Sequence, residues 1–159
     1  EVERLVLWAP ITDGGAYMQE LLRGNVTTQM AVYKEIRQDR EDLVAAMRGG
    51  ETVNVDGYEL PIAMYSEVSA VKLGTMKSPH RGPTLVVRID RNPQRPAPEL
   101  DQLVTMFDQG TLVTAQEEPF WKEIARSYQL PATNVFAVTQ DWLAGATNAR
   151  PSTAAASRR

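Results

Sequence analysis

The chain predicts an α/β fold in which a short parallel sheet is joined by crossover helices, and three observations predict it. Residues 5–8 (LVLW), 84–89 (TLVVRI) and 111–114 (TLVT) are short runs of β-branched and large apolar residues. They are nearly continuous rather than alternating, the pattern of strands covered on both faces. Helical periodicities fill the intervals between them. The resulting order of strand, helices, strand, helix, strand, helix implies parallel pairing through crossovers.

Each element has a local reason. Between the first and second strands, Tyr17, Leu21, Leu22, Val26, Met30, Tyr33 and Ile36 recur at spacings of mostly three or four. That stripe predicts a helix over residues 16–38. Asp39, followed at the third position by Asp42, restarts a helix that runs through Met47 and ends at Gly49-Gly50. Residues 52–58 (TVNVDGY) read as a hairpin-like element, because Asp56-Gly57 supplies the positive φ of a tight turn. Pro61 suits a first helical turn, with Ile62, Tyr65 and Val68 or Ser69 continuing the stripe toward Leu73. Residues 74–83 form a loop. After the second strand, Arg91-Asn92-Pro93 and Pro96-Ala97-Pro98 make a stiff connection. Leu100, Leu103, Val104 and Phe107 then mark a helix that Gly110 terminates, and Pro119 opens another carrying Phe120, Ile124 and Tyr128.

Composition bounds what such a chain does. Its 159 residues, 43% of them hydrophobic, suffice for one domain with a real core, taken as residues 1–143. Residues 144–159 are rich in Ala, Ser, Thr and Arg and bury too little apolar surface to offset ordering, so a disordered tail is expected. A net charge of −3 with both signs interleaved lacks the basic footprint that nucleic acid requires. The apolar runs are far shorter than the roughly 20 residues that span a bilayer, so no membrane partner is expected. Cysteine is absent, which removes disulfides, thiol nucleophiles and common zinc sites together. A reducing cytoplasm suits such a chain best. It opens at Glu1 rather than at methionine, so a processed start or preceding sequence is expected.

The stretch LVLWAPITDGGAYMQELLRGNVTTQM, with GGETVNVDGYELP after it and PFW at residues 119–121, resembles the second half of α/β-hydrolases. It is most similar to the serine aminopeptidase-like hydrolases associated with the exosortase system, over most of residues 1–143. The resemblance implies a partial α/β-hydrolase-like three-layer fold with a helical cap. It equates residues 5–8 with the sixth strand of that sheet, residues 84–89 with the seventh and residues 111–114 with the eighth. It also implies hydrolysis of esters, thioesters or lactones without a cofactor. That chemistry uses a serine in a GxSxG turn, a histidine base and an orienting carboxylate. No GxSxG is present, and the turn belongs before Glu1. The acid follows the seventh strand, where Asp90 and Asn92 stand. The family histidine follows the eighth, where residues 115–118 read AQEE.

The candidate catalytic residues are therefore Asp90 and His80. Asp90 ends a predicted parallel strand, where ligands gather in open α/β sheets, although such an aspartate more often simply pairs Arg88 or Arg91. His80 is the sole histidine, on a loop before the second strand, and is more often an ordinary surface residue. Ser78 is too close to it, across a stiffening proline, for an obvious dyad. Glu117 and Glu118 are candidates for a hard cation or acid–base work, against the commoner role of solvating a helix start, and no metal site is assigned. Asp13 reads as an N-cap, and Trp8, Trp121 and Trp142 as core or cap aromatics. A small acyl substrate would lie against Tyr17, Leu21, Met30 and Tyr33 of the cap. The competing reading is a non-catalytic fragment or assembly module. Either way, the apolar first strand and the 17–33 helix lack cover, which predicts a homo-oligomer.

Overall fold

The computed structural model describes residues 2–55, 57–78, 80–120 and 132–145. Its elements, in order, are β1 (Leu5–Trp8), α1 (Gly14–Tyr33), α2 (Arg40–Arg48), β2 (Val53–Val55), β3 (Tyr58–Leu60) and α3 (Ile62–Ser69). A single 3-10 turn (Leu73–Thr75), β4 (Pro83–Ile89), α4 (Pro98–Val104), β5 (Gln109–Ala115) and α5 (Thr133–Leu143) complete it. The class is mixed α/β. The expected helix from Pro119, with Ile124 and Tyr128, the tryptophan at 121 and the tail beyond Gly145 lie outside the described residues.

The chain forms two compact units, one of Glu1–Pro10 with Lys77–Arg159, the other of Ile11–Met76. The first holds a three-stranded sheet of order β1-β4-β5, with both pairings parallel. Leu5 aligns with Thr84 and Trp8 with Val87 on one side of β4, and Leu85 aligns with Thr111 on the other. β4 is the central strand, and from Thr84 to Ile89 it is buried on both faces, which is why its sequence runs apolar without alternation. Leu85, Val87 and Ile89 share one face. They pack there with Ala115, and with Val135 and Trp142 of α5. The indole Nε1 of Trp8 donates to the Thr139 hydroxyl at 3.0 Å, and its ring meets Phe136 edge-on at 5.2 Å. α5 follows no strong start signal in the sequence. Glu117 makes the start instead, its two carboxylate oxygens accepting from the Asn134 and Val135 N–H groups at 3.0 and 2.9 Å.

The second unit packs α1, α2, α3 and the antiparallel β2–β3 hairpin around Met18, Leu22, Leu43, Met47, Val53, Val55 and Leu60. α2 begins where the sequence places it: Asp39 accepts from the Glu41 and Asp42 N–H groups at 2.8 and 2.9 Å, and the Asp39 N–H donates to Asp42 at 3.0 Å, a closed capping box. Gly57 supplies the hairpin's positive φ of 89°.

Two expectations about helices need correcting. α1 stops at Tyr33 rather than near residue 38, with Lys34 in the left-handed conformation at φ 62°. The buried Gln29 side chain makes that stop. Its Oε1 accepts from the Arg37 and Gln38 N–H groups, and its Nε2 donates to the Gln38 carbonyl at 3.0 Å and to Asn25 at 2.9 Å, so the returning chain is satisfied without helix. The buried stripe accordingly runs through Gly14, Met18, Leu22 and Gln29, not through Tyr17, Met30, Tyr33 and Ile36, which are exposed. Second, α4 ends at Val104, and Gly110 belongs to β5. A Cβ on Gly110 would stand 2.3 Å from the Val104 carbonyl oxygen, so glycine there admits the end of the helix against the strand.

Candidate functional site

The C-terminal end of the parallel sheet is the place where an α/β fold gathers its chemistry. Asp90 emerges there directly after β4, its amide donating to the Ala115 carbonyl at 3.2 Å, so the ladder with β5 continues into the candidate residue. One carboxylate oxygen of Asp90 accepts from the Arg88 guanidinium at 2.7 Å, and the other accepts from the Asn92 N–H at 2.8 Å. Arg95 approaches to 3.9 Å. The hydrogen bond from Arg88, then that from the Asn92 backbone, and lastly the positive charges of Arg88 and Arg95 hold the Asp90 carboxyl below its ordinary range. It is a fixed, ionised carboxylate.

Arg88, expected with Arg91 only as an alternative partner for Asp90, does more than pair with it. It is buried within β4, and besides Asp90 it donates to the carbonyls of Arg95 and, at 3.3 Å, of Asn92. A charged residue inside the run TLVVRI was the available signal, because a strand covered on both faces admits a guanidinium only if partners are waiting for it. Around the same edge, Glu118 pairs with Arg91, and Glu117 is occupied with the start of α5. The three carboxylates after β4 and β5 thus each serve a separate internal partner. Among the described residues there is no group of three or more His, Cys, Asp or Glu placed to hold a metal ion.

His80 lies elsewhere. It is half-buried on the loop before β4, with its N–H donating to the Ser78 hydroxyl at 3.2 Å and its Nε2 3.5 Å from the Pro83 carbonyl oxygen, the outer limit of a hydrogen bond. Gly82 makes room for it: a Cβ there would stand 2.3 Å from the Glu3 carbonyl oxygen and 2.9 Å from the imidazole. The seven residues of β4 separate His80 from Asp90, so the two stand at opposite ends of a strand about 20 Å long. They are not brought together.

The residues expected to line an acyl site divide as well. Leu21 is partly buried against the core of its unit, whereas Tyr17, Met30 and Tyr33 are exposed. The Arg37 guanidinium lies over the Tyr33 ring at 3.9 Å from its centroid. Asp13 caps α1, accepting from Lys72 at 2.5 Å and from the Ala16 N–H at 2.9 Å, which in that order hold its carboxyl below the ordinary range. No helix among the described residues is long and apolar enough to cross a membrane.

A scan against protein-family models, a search of curated proteins and a search of solved structures each find no match to this chain.

Proposed function

We propose that the chain is the strand-and-cap portion of an α/β-hydrolase-type enzyme acting on esters, thioesters or lactones, with Asp90 in the position of the orienting acid. The observation that carries this reading is the sheet. The three strands that the resemblance equates with the sixth, seventh and eighth pair in that order, all parallel, and an aspartate follows the middle one. A carboxylate fixed by Arg88 and the Asn92 N–H stays ionised at neutral pH, as the orientation of a histidine base requires. Ile11–Met76 occupies the place in the chain of the cap that follows the sixth strand, and an acyl chain would lie against its exposed Tyr17, Met30 and Tyr33. His80, at the far end of β4, is not the base that Asp90 orients. On this reading the serine turn belongs before Glu1, and no histidine stands in AQEE after β5, where the resemblance puts the base.

The coding DNA and an activity assay test this jointly. A GxSxG segment encoded upstream, and turnover of short-chain nitrophenyl esters or acyl lactones by the longer product, are expected. Asp90→Asn in that product should lower turnover by about a hundredfold or more, with His80→Ala close to unchanged. Equal activity in Asp90→Asn and the parent, at unchanged circular dichroism, removes Asp90 from the chemistry. Turnover abolished by a chelator would point to metal-activated water in place of the serine route.

A second reading, a non-catalytic assembly module that pairs with a second copy of the chain, is favoured by one observation. Among the described residues β4 is the strand that pairs with β1, and no strand pairs its other edge. Light scattering that reports a monomer at micromolar concentration would sink it.

A further inference from the structure

The Ile11–Met76 unit carries a cavity of about 470 Å³ lined by Gln19, Arg40, Glu41, Val44, Arg48 and Tyr65. That is the size of ordinary small-molecule sites. Three helices build it. Arg40, Val44 and Arg48 stand at i, i+4 and i+8 on α2 and so share a face, Gln19 comes from α1, and Tyr65 comes from α3. The Gln19 amide spans the other two helices, its Nε2 donating to the Tyr65 hydroxyl at 2.9 Å and its Oε1 accepting from the Arg40 guanidinium at 3.3 Å.

That chain of hydrogen bonds has a direction. Because the Tyr65 oxygen accepts from Gln19, its own proton is left to donate elsewhere. Arg40 commits one N–H to Gln19 and retains the others, and neither Arg40 nor Arg48 has a carboxylate partner among the described residues. Arg40 is moreover the first residue of α2, where the positive end of the helix dipole disfavours a cation, so helix stability does not account for it. Glu41 is the single acidic group in the lining and offsets one of the two positive charges.

We propose that this cavity binds the oxyanion head of a small organic acid, a carboxylate or a phosphate ester. Arg40 and Arg48 clamp the anion, Tyr65 donates to it, and Val44 meets its apolar body. Guanidinium groups suit both head groups, because each presents paired N–H donors to paired oxygens. The proposal stands independently of the hydrolase reading, since none of these residues belongs to the Asp90 edge.

The test is an amide chemical-shift titration of the full chain with butyrate and, separately, with phenyl phosphate. Saturable shifts confined to the α1, α2 and α3 residues around the cavity are expected from at least one probe, and a response to only one identifies which oxyanion is taken. Arg40→Gln and Arg48→Gln should each weaken binding about tenfold. Tyr65→Phe should weaken it more mildly, and Glu41→Gln should strengthen it by removing the opposing charge. Shifts absent for both probes at about 20 mM, well above the millimolar range of weak sites, would overturn the proposal. So would binding that persists unchanged in the Arg40→Gln/Arg48→Gln double variant at unaltered circular dichroism.

Discussion

At the scale of single residues, Asp90 and Arg88 form the interaction with the most consequence. Arg88 is buried and Asp90 is largely covered, so neither can lose its partner cheaply. The sign of the pH effect follows from the direction of the shift. Asp90 ionises more readily in the folded chain than in the unfolded one, so it contributes stability above the ordinary carboxylate pKa. That contribution is lost as pH falls through the lowered folded value. Asp13, lowered by Lys72 and the Ala16 N–H, behaves in the same sense. Asp90→Asn should therefore lower the thermal midpoint at neutral pH. It should also make the midpoint less dependent on pH across the acid range, as read by calorimetry at a series of pH values. A variant whose midpoint falls with acid as steeply as the parent's would show that the Arg88 pair is energetically idle.

At the scale of elements, two glycines of α1 make opposite demands. Gly14 lies where α3 comes closest: an added Cβ would stand 1.9 Å from the Val68 carbonyl oxygen, a backbone atom that no side-chain rotation can move aside. Gly24 sits mid-helix with no atom within 4 Å of the same position. Gly14→Ala should accordingly destabilise the chain by about 2–3 kcal/mol through overpacking. Gly24→Ala should stabilise it by about 0.5–1 kcal/mol, because alanine loses less backbone freedom in a helix. Urea unfolding of both variants measures the contrast, and equal midpoints would mean that the α1–α3 contact is looser than the geometry requires.

At the scale of the whole molecule, the chain leaves β1, forms a complete unit and returns to β4. The entry and exit of that unit are tied together, the Leu73 N–H donating to the Thr12 carbonyl and the Gly14 N–H to the Val71 carbonyl, both at 2.9 Å. Asp13 and Lys72 form a β-bridge and an ion pair at the same place. A segment with joined ends and its own hydrophobic cluster is built as an insertion. Residues 11–76 expressed alone should therefore give helical circular dichroism, dispersed amide resonances and one cooperative thermal transition. A chain of this length is marginal for independent folding, so a modest midpoint is expected. A coil spectrum would show that the unit needs the sheet to fold.

The three strands, the capping box of α2, the Gly57 turn and the start of α3 were legible in the residues, because each rests on a short-range rule, and the parallel sense followed from the order of the elements. Continuous apolar runs mark strands covered on both faces, Asp39 and Asp42 satisfy a helix start from within four positions, and glycine permits positive φ. Of the candidate site, Asp90 at a strand end and its pairing with Arg88 were readable for the same reason, being two residues apart on one strand. What lay beyond reading was set by partners distant in the chain. Gln29 ended α1 by capturing residues 37 and 38, Glu117 started α5 from 17 and 18 residues away, and Gln19 joined Arg40 to Tyr65 across three helices. Periodicity shows that a helix has an apolar side, but which residues of that side are buried depends on what packs against it: Met18 and Leu22 join the core of their unit, and Tyr17, Met30 and Tyr33 are exposed. The sequence by itself determined the order of the elements from β1 to β5. The tertiary structure decided where helices stop, which faces they bury and which polar groups meet, because those choices depend on hydrogen-bond partners and close contacts that exist only once the chain has folded.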